Sequence, residues 1–94
     1  MAHDLDKLLK EVTDEPSFLR FVQALMKDFE EDRAEAARRP PSPYSPGPLG
    51  WENVTIGAFL EAGAAWAEDT QERDRADNPW HRVAGILYAG KIYE

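Results

Sequence analysis

The residues that could do chemistry in this 94-residue chain lack the spacings that catalytic and metal sites use. The two histidines, His3 and His81, form no His-x-x-x-His or Glu-x-x-His pair of the kind that zinc sites use. There is no cysteine, which excludes disulfides and thiolate ligands. No serine lies in Gly-x-Ser-x-Gly, and no glycine-rich phosphate loop occurs. We therefore expect no catalytic residue, no metal and no cofactor, and a protein that is not an enzyme.

Carboxylates are the most abundant reactive groups, and they form two clusters. One lies within residues 28–35, and the other comprises Glu68, Asp69, Glu72, Asp74 and Asp77. Arginines are interleaved with both, which is typical of solvated helix faces; acid–base chemistry needs environments that push pKa values apart. Residues 68–78 contain no glycine, which argues against a calcium loop. We predict two acidic surfaces, the second of which is a candidate for contacting a partner.

The charge balance restricts the class of partner. The formal net charge is −7 with a pI near 4.8. An acidic surface repels phosphate groups, so nucleic acid and anionic membrane are unlikely partners, whereas a basic protein would be attracted. The N-terminus shows no secretory pattern, and no stretch approaches the roughly 18 apolar residues of a membrane span. We expect a cytoplasmic protein.

Hydrophobic periodicity predicts an all-α fold: one domain over residues 1–94, with three main helices and a short N-terminal helix. The short helix covers residues 4–12. Asp14 should cap a second helix that runs to about Ala37. Thr55 should cap a third helix that ends near Asp69 or Thr70. Ile56, Phe59, Leu60, Gly63, Trp66 and Ala67 should share the apolar face of the third helix. Small side chains over residues 62–65 should let another helix approach closely.

The last helix should begin at Asn78-Pro79, with Asn78 as the N-cap and Pro79 at the first helical position. Gly90 is predicted to end it, and residues 91–94 should then leave the helix and dock on the body. Five prolines and two glycines between residues 38 and 50 predict a stiff surface loop between the helical halves.

The three tryptophans all lie in the second half of the chain. Trp66 and Trp80 fall on apolar helix faces and are predicted to fill the core. Trp51 precedes its helix and is predicted to be the most exposed of the three. Together with Glu52 and Asn53 it is a candidate partner-binding segment. The alternative is that Glu52 and Asn53 only hydrogen-bond the entry of the loop.

The chain resembles an uncharacterised family of small acidic bacterial proteins. The resemblance rests on Trp51-Glu52-Asn53, Thr55-Ile56, Phe59-Leu60-Glu61-Ala62, Ala65-Trp66, Glu68-Asp69, Asn78-Pro79-Trp80, Gly90-Lys91-Ile92-Tyr93-Glu94 and residues 17–22. It implies no activity and no site residue. Small acidic proteins of this type are similar to immunity or accessory proteins of bacterial toxin systems.

Three hypotheses for the function follow. The leading one is a non-enzymatic protein-binding module, in the form of an immunity or accessory protein with a basic partner. A structural or regulatory homo-oligomer, such as a homodimer formed through residues 62–65 and the tail, is the first alternative. The second is a small ligand-binding protein or enzyme with a pocket near Trp51, Glu52 and Asn53.

Overall fold

Four helices form where side-chain caps and apolar spacing favour them. The computed structural model places α1 at Leu5–Lys10, α2 at Glu15–Arg38, α3 at Ile56–Asp69 and α4 at Pro79–Ile92. It describes residues 4–40, 47–71 and 78–93, and no strand occurs among them. The predicted all-α class is confirmed. The central part of the proline-rich loop, residues 41–46, lies outside the described residues.

The predicted caps of the three long helices are all present. Asp14 accepts from the Ser17 amide at 3.0 Å while the Ser17 hydroxyl accepts from the Asp14 amide, which makes a capping box. Thr55 accepts from the amide of Ala58 at 3.1 Å. Asn78 caps α4 through its side-chain oxygen, and its side-chain nitrogen also donates to the carbonyl of Thr13, 65 residues away. The start of α4 is therefore tied to the α1–α2 connection.

Helix α4 lies at the centre of the packing, since it contacts each of the other three helices. Its closest neighbour is α3, because a side chain at Gly63 would place its Cβ 3.0 Å from the carbonyl oxygen of Ile86. The prediction that small residues of α3 admit another helix is thus confirmed. By contrast, α2 and α3, both fully described, have no Cα atoms within 8 Å of each other. A gap remains between them.

The core joins residues of α1, α2, α4 and the segment before α3. Its buried members are Leu5, Val12, Phe21, Leu25, Trp51 and Ala84. The prediction for the tryptophans is wrong at two positions: Trp51 is only 4% exposed, and Trp80, which was predicted to fill the core, is 36% exposed. Trp66 is half-buried.

The predicted end of α4 also needs correction. Helix α4 does not end at Gly90 but continues to Ile92. A Cβ at Gly90 would lie 2.7 Å from the ring of Phe59, so this glycine admits an aromatic ring of α3. The tail does dock on the body, since Lys91 is buried and Tyr93 is half-buried.

The apolar face predicted for α3 is also wrong in part, because Ile56 is 81% and Leu60 60% exposed. Leu60 lies about 100° around the helix from Phe59, which faces the core. Ile56 lies in the first turn, beside the gap to α2.

Candidate functional site

Two carboxylates of α2 are buried in the body of the protein. Asp28 is 1% exposed and Asp32 is 0% exposed, so the prediction of a solvated acidic face over residues 28–35 is wrong for these two positions. They lie one turn apart and continue the face that carries Phe21 and Leu25, at i, i+4, i+7 and i+11. That spacing is the sequence signal that could have revealed them.

Asp28 joins two distant parts of the chain. Its Oδ2 atom accepts from Trp51 Nε1 at 2.8 Å and from Lys91 Nζ at 2.9 Å. The Trp51 ring packs edge-on against Phe29 and stacks on Phe59, with ring centroids 4.9 and 6.1 Å away. A buried indole needs a hydrogen-bond acceptor, and the carboxylate provides it. This explains why Trp51 is buried although it lies outside a helix.

Asp32 holds the turn that leads into Trp51. Its Oδ1 atom accepts from the amide of Leu49 at 2.8 Å, and its Oδ2 atom pairs with the Arg33 guanidinium at 2.6 Å. The turn is closed by a bond from the Gly50 amide to the Gly47 carbonyl, and Gly50 has a φ of +88°, which favours glycine. The two aspartates therefore fix residues 47–51 against α2.

The next residues attach the same segment to the end of α4. The amides of Glu52 and Asn53 donate to the carbonyl of Lys91 at 3.1 and 3.4 Å. The side-chain nitrogen of Asn53 donates to the carbonyls of Gly90 and Tyr93, both at 3.0 Å. Carbonyls at a helix C-terminus have no partner within the helix, so Asn53 supplies donors that they lack. Trp51 and Asn53 therefore have folding roles, while the Glu52 side chain is exposed.

The buried charges of Asp28 and Lys91 compensate each other. Lys91 has a side chain that is 10% exposed, its ammonium is bound to Asp28, and it lies 5.8 Å from the Trp51 ring centroid. Such a closed cluster can hold α2, the 47–53 segment and α4 together. It offers a substrate no open face on which proton transfer could occur.

The second acidic cluster is described only in part. Glu68 and Asp69 are exposed, and Asp69 accepts a hydrogen bond from the Tyr93 hydroxyl. Its other members lie outside the described residues: Glu72, Asp74 and Asp77. The structure thus brings Asp69 to the docked tail and leaves the Glu68 side chain exposed.

An apolar groove of about 340 Å³ fills the gap between α2 and α3. Met26 and Phe29 line it on the α2 side, and Ile56 and Phe59 line it on the α3 side, with Trp51 between them. Several of its lining side chains are well exposed: Ile56 at 81%, Met26 at 51% and Val54 at 40%. Sequence reasoning missed this groove because it placed Ile56 in the core.

The polar side chains that line the groove have structural partners. Among the described residues, the polar groups of the lining are the side chains of Asn53 and Thr55 and the Trp51 indole N–H. They bind the end of α4, the N-terminus of α3 and Asp28. The groove touches Trp51 and Asn53, where a ligand pocket was one of the hypotheses. Its lining is almost entirely apolar.

Comparison with protein families decides the membership of this chain. The family model of DUF7660, a family of unknown function, matches residues 14–94. The chain belongs to this family. The DUF7660 match begins at the cap of α2 and includes Asp28, Trp51, Asn53 and Lys91. The resemblance to an uncharacterised family is thereby confirmed.

Further comparisons add no function to the DUF7660 assignment. Neither the curated proteins nor the solved structures gave a match. Within residues 4–40, 47–71 and 78–93, no group of three or more metal-ligating side chains comes together. In the same ranges, none of the helices has the length and apolar character needed to cross a membrane.

Proposed function

We propose that this chain is a non-enzymatic protein-binding module that docks an amphipathic helix of a basic partner in the groove between α2 and α3. The observation that carries the proposal is the exposure of Ile56, Met26 and Val54 around one continuous apolar groove. Contiguous exposed apolar surface of this kind marks interaction sites in soluble proteins. A groove between two helices accommodates the apolar face of a third.

Charge supports a basic partner over a second copy of this chain. The net charge of −7 makes two copies repel each other and attracts a cationic protein. Three exposed carboxylates lie close in sequence to apolar residues at the groove: Glu30, Glu52 and Glu61. Lys27 places one exposed positive charge in the same part of the chain. Basic residues beside the apolar stripe of a partner helix would meet these carboxylates.

In its specific form, the proposal is that this protein neutralises a toxin. A cytoplasmic immunity or accessory protein of a bacterial toxin system would bind a basic toxin and cover its functional surface. The acidic charge and the small size favour that role, as does the likeness in type noted from the sequence. The mechanism requires no chemical step by the module itself.

A substitution in the groove tests the proposal. Products of neighbouring genes are co-expressed with the wild type, with Ile56→Asp and with Val83→Asp, and affinities are measured on purified pairs. Ile56 is 81% exposed and lines the groove, whereas Val83 is 44% exposed on α4 and does not. Losing the burial of one isoleucine costs about 1.5 to 3 kcal/mol, so Ile56→Asp should weaken binding by roughly 10- to 100-fold.

The control separates docking from folding. Val83→Asp should bind like the wild type, and circular dichroism should show native helix content in both variants. If no neighbouring gene product binds, or if Ile56→Asp binds as tightly as the wild type, the proposal is wrong. Self-association that Ile56→Asp abolishes would instead assign the groove to a homo-oligomer.

A further inference from the structure

A second cavity, also of about 340 Å³, lies between α1, α3 and α4. It shares no lining residue with the groove between α2 and α3. Four of its lining side chains are aromatic: Trp66, His81, Tyr88 and Tyr93. Its volume is within the range of roughly 300 to 1,000 Å³ that small-molecule sites have.

The cavity exists because of the order of residues along α4. His81, Gly85, Tyr88 and Ile92 are spaced at i, i+4, i+7 and i+11, so they form one stripe of the helix. The middle of the stripe is small, because Gly85 has no side chain. A Cβ there would lie 3.2 Å from the Trp66 ring, so this indole forms one wall directly above the glycine.

Carboxylates hold the two tyrosines that close the cavity. The Tyr93 hydroxyl donates to Asp69, and the Tyr88 hydroxyl is hydrogen-bonded to Asp6. Burial, followed by the bond to Asp6, raises the pKa of Tyr88 to about 12, so this phenol stays protonated at neutral pH. Negative charge therefore lies behind two of the aromatic rings.

The balance of charge around the cavity favours a cation. Among the described residues, those that line it include no lysine and no arginine. The faces of aromatic rings attract cations within about 6 Å of the ring centroid. The Trp66 ring already shows this property, because the Arg82 guanidinium lies 4.9 Å from its centroid, held by bonds to Thr70 and to the Ala67 carbonyl. Arg82 itself does not line the cavity.

We propose that this cavity binds a small methylated ammonium ion, with Trp66, Tyr88 and Tyr93 as its aromatic walls and Asp6 and Asp69 as the charges behind them. Methyl groups suit the site because its lining is almost entirely carbon, and a quaternary ammonium has no N–H donor to leave unsatisfied there. A primary amine or an inorganic cation would lose its hydration without replacement.

Choline is the probe, and its uncharged carbon isostere, 3,3-dimethylbutanol, is the matched control ligand. Both are titrated into the whole protein while amide and indole signals are followed by NMR. Choline should shift the signals of Gly85, Tyr88 and the Trp66 indole, and the isostere should bind at least about fivefold more weakly, because it lacks the attraction between cation and ring. No shift up to high millimolar choline, or equal binding of the two ligands, would overturn the proposal.

Two variants should change the affinity for choline in opposite directions. Tyr93→Leu removes a half-buried ring at the end of α4 and should weaken choline binding severalfold. Arg82→Gln removes a neighbouring positive charge and should tighten it about twofold or more, which loss of structure could not do. Ile56→Asp, in the separate groove, should leave choline binding unchanged. If Arg82→Gln leaves choline affinity unchanged or weakens it, the cavity does not select for cations.

Discussion

Replacing Lys91 by methionine removes one charge from a closed site and leaves the shape of the side chain nearly unchanged. In the wild type its ammonium lies 2.9 Å from Asp28 Oδ2, and the carboxylate is 1% exposed. In the variant the Trp51 indole remains as a donor to that oxygen, but the negative charge has lost its counter-ion and water cannot replace it. The variant tests whether this ion pair stabilises the fold.

The expected loss of stability is large for a protein of this size. Removing one partner of a buried ion pair costs about 3 to 5 kcal/mol, because the other charge stays buried. For 94 residues, the free energy of unfolding is of the order of 5 to 14 kcal/mol. Lys91→Met should therefore remove at least about a fifth of it. With a urea slope of about 1.5 kcal/mol/M, the unfolding midpoint should fall by roughly 2 to 3 M.

Urea unfolding followed by tryptophan fluorescence measures the effect, and Arg38→Met is the matched control. Arg38 pairs with Glu35 at 2.6 Å, but its side chain is 74% exposed, so its loss should change stability by less than about 1 kcal/mol. Adding Asp28→Asn to Lys91→Met removes the orphaned charge while keeping an acceptor for the Trp51 indole. The double variant should recover about 1 to 3 kcal/mol.

The predicted stabilising role of this ion pair fails if Lys91→Met and Arg38→Met have the same small effect. That result would mean that the Asp28 carboxylate reaches water or another donor once the ammonium is gone. It would fail equally if Asp28→Asn added a further loss to Lys91→Met, since the carboxylate would then be stabilising without its partner.

Three further predictions concern backbone space and titration. Gly47→Ala should destabilise by about 1 to 3 kcal/mol in urea unfolding, because a Cβ there would overlap a buried carboxylate of α2, whereas Gly57→Ala, with open space, should stabilise by up to about 1 kcal/mol. The side-chain and backbone bonds with Ser17 lower the pKa of Asp14 below 3.8. The stabilising effect of its carboxylate is therefore present above that pH and is lost as the pH falls through the lowered value. The stability of Asp14→Asn, measured by urea unfolding, should differ from that of the wild type at pH 6 and converge with it in strong acid. Because burial raises the pKa of Tyr88 from 10.0 to about 12, stability should hold below pH 10 and fall as the pH rises towards 12, and a smaller fall in Tyr88→Phe, followed by circular dichroism, would confirm it.

Helix starts were predictable because the residues that set them act locally. Asp14, Thr55 and Asn78 bind amides two or three positions away, so short motifs are enough to identify them. The all-α class followed from apolar spacing for the same reason. The prediction at Gly90 was wrong because a glycine can either end a helix or make room for a close neighbour. Here it makes room for the Phe59 ring.

The site was less predictable because its contacts cross long stretches of sequence. Asp28 lies on the buried face of α2, as its spacing indicates, but Lys91, the partner that balances its charge, is 63 residues away. Trp51 was predicted to be exposed since no helix pattern holds it, whereas its indole is fixed by that same carboxylate. Ile56 was placed in the core because periodicity alone cannot show that α2 leaves a gap beside α3.

The bond between Asp28 and Lys91 also sets a time during synthesis at which the protein can fold. Ribosomes add about 5 to 20 residues per second, so the 63 positions between the two residues take roughly 3 to 13 s. During that interval the aspartate destined for the interior has no counter-ion, and Asn53 has no α4 carbonyls to bind. The nascent chain should stay open until α4 is complete, so chaperones and proteases would encounter its apolar segments before a partner does.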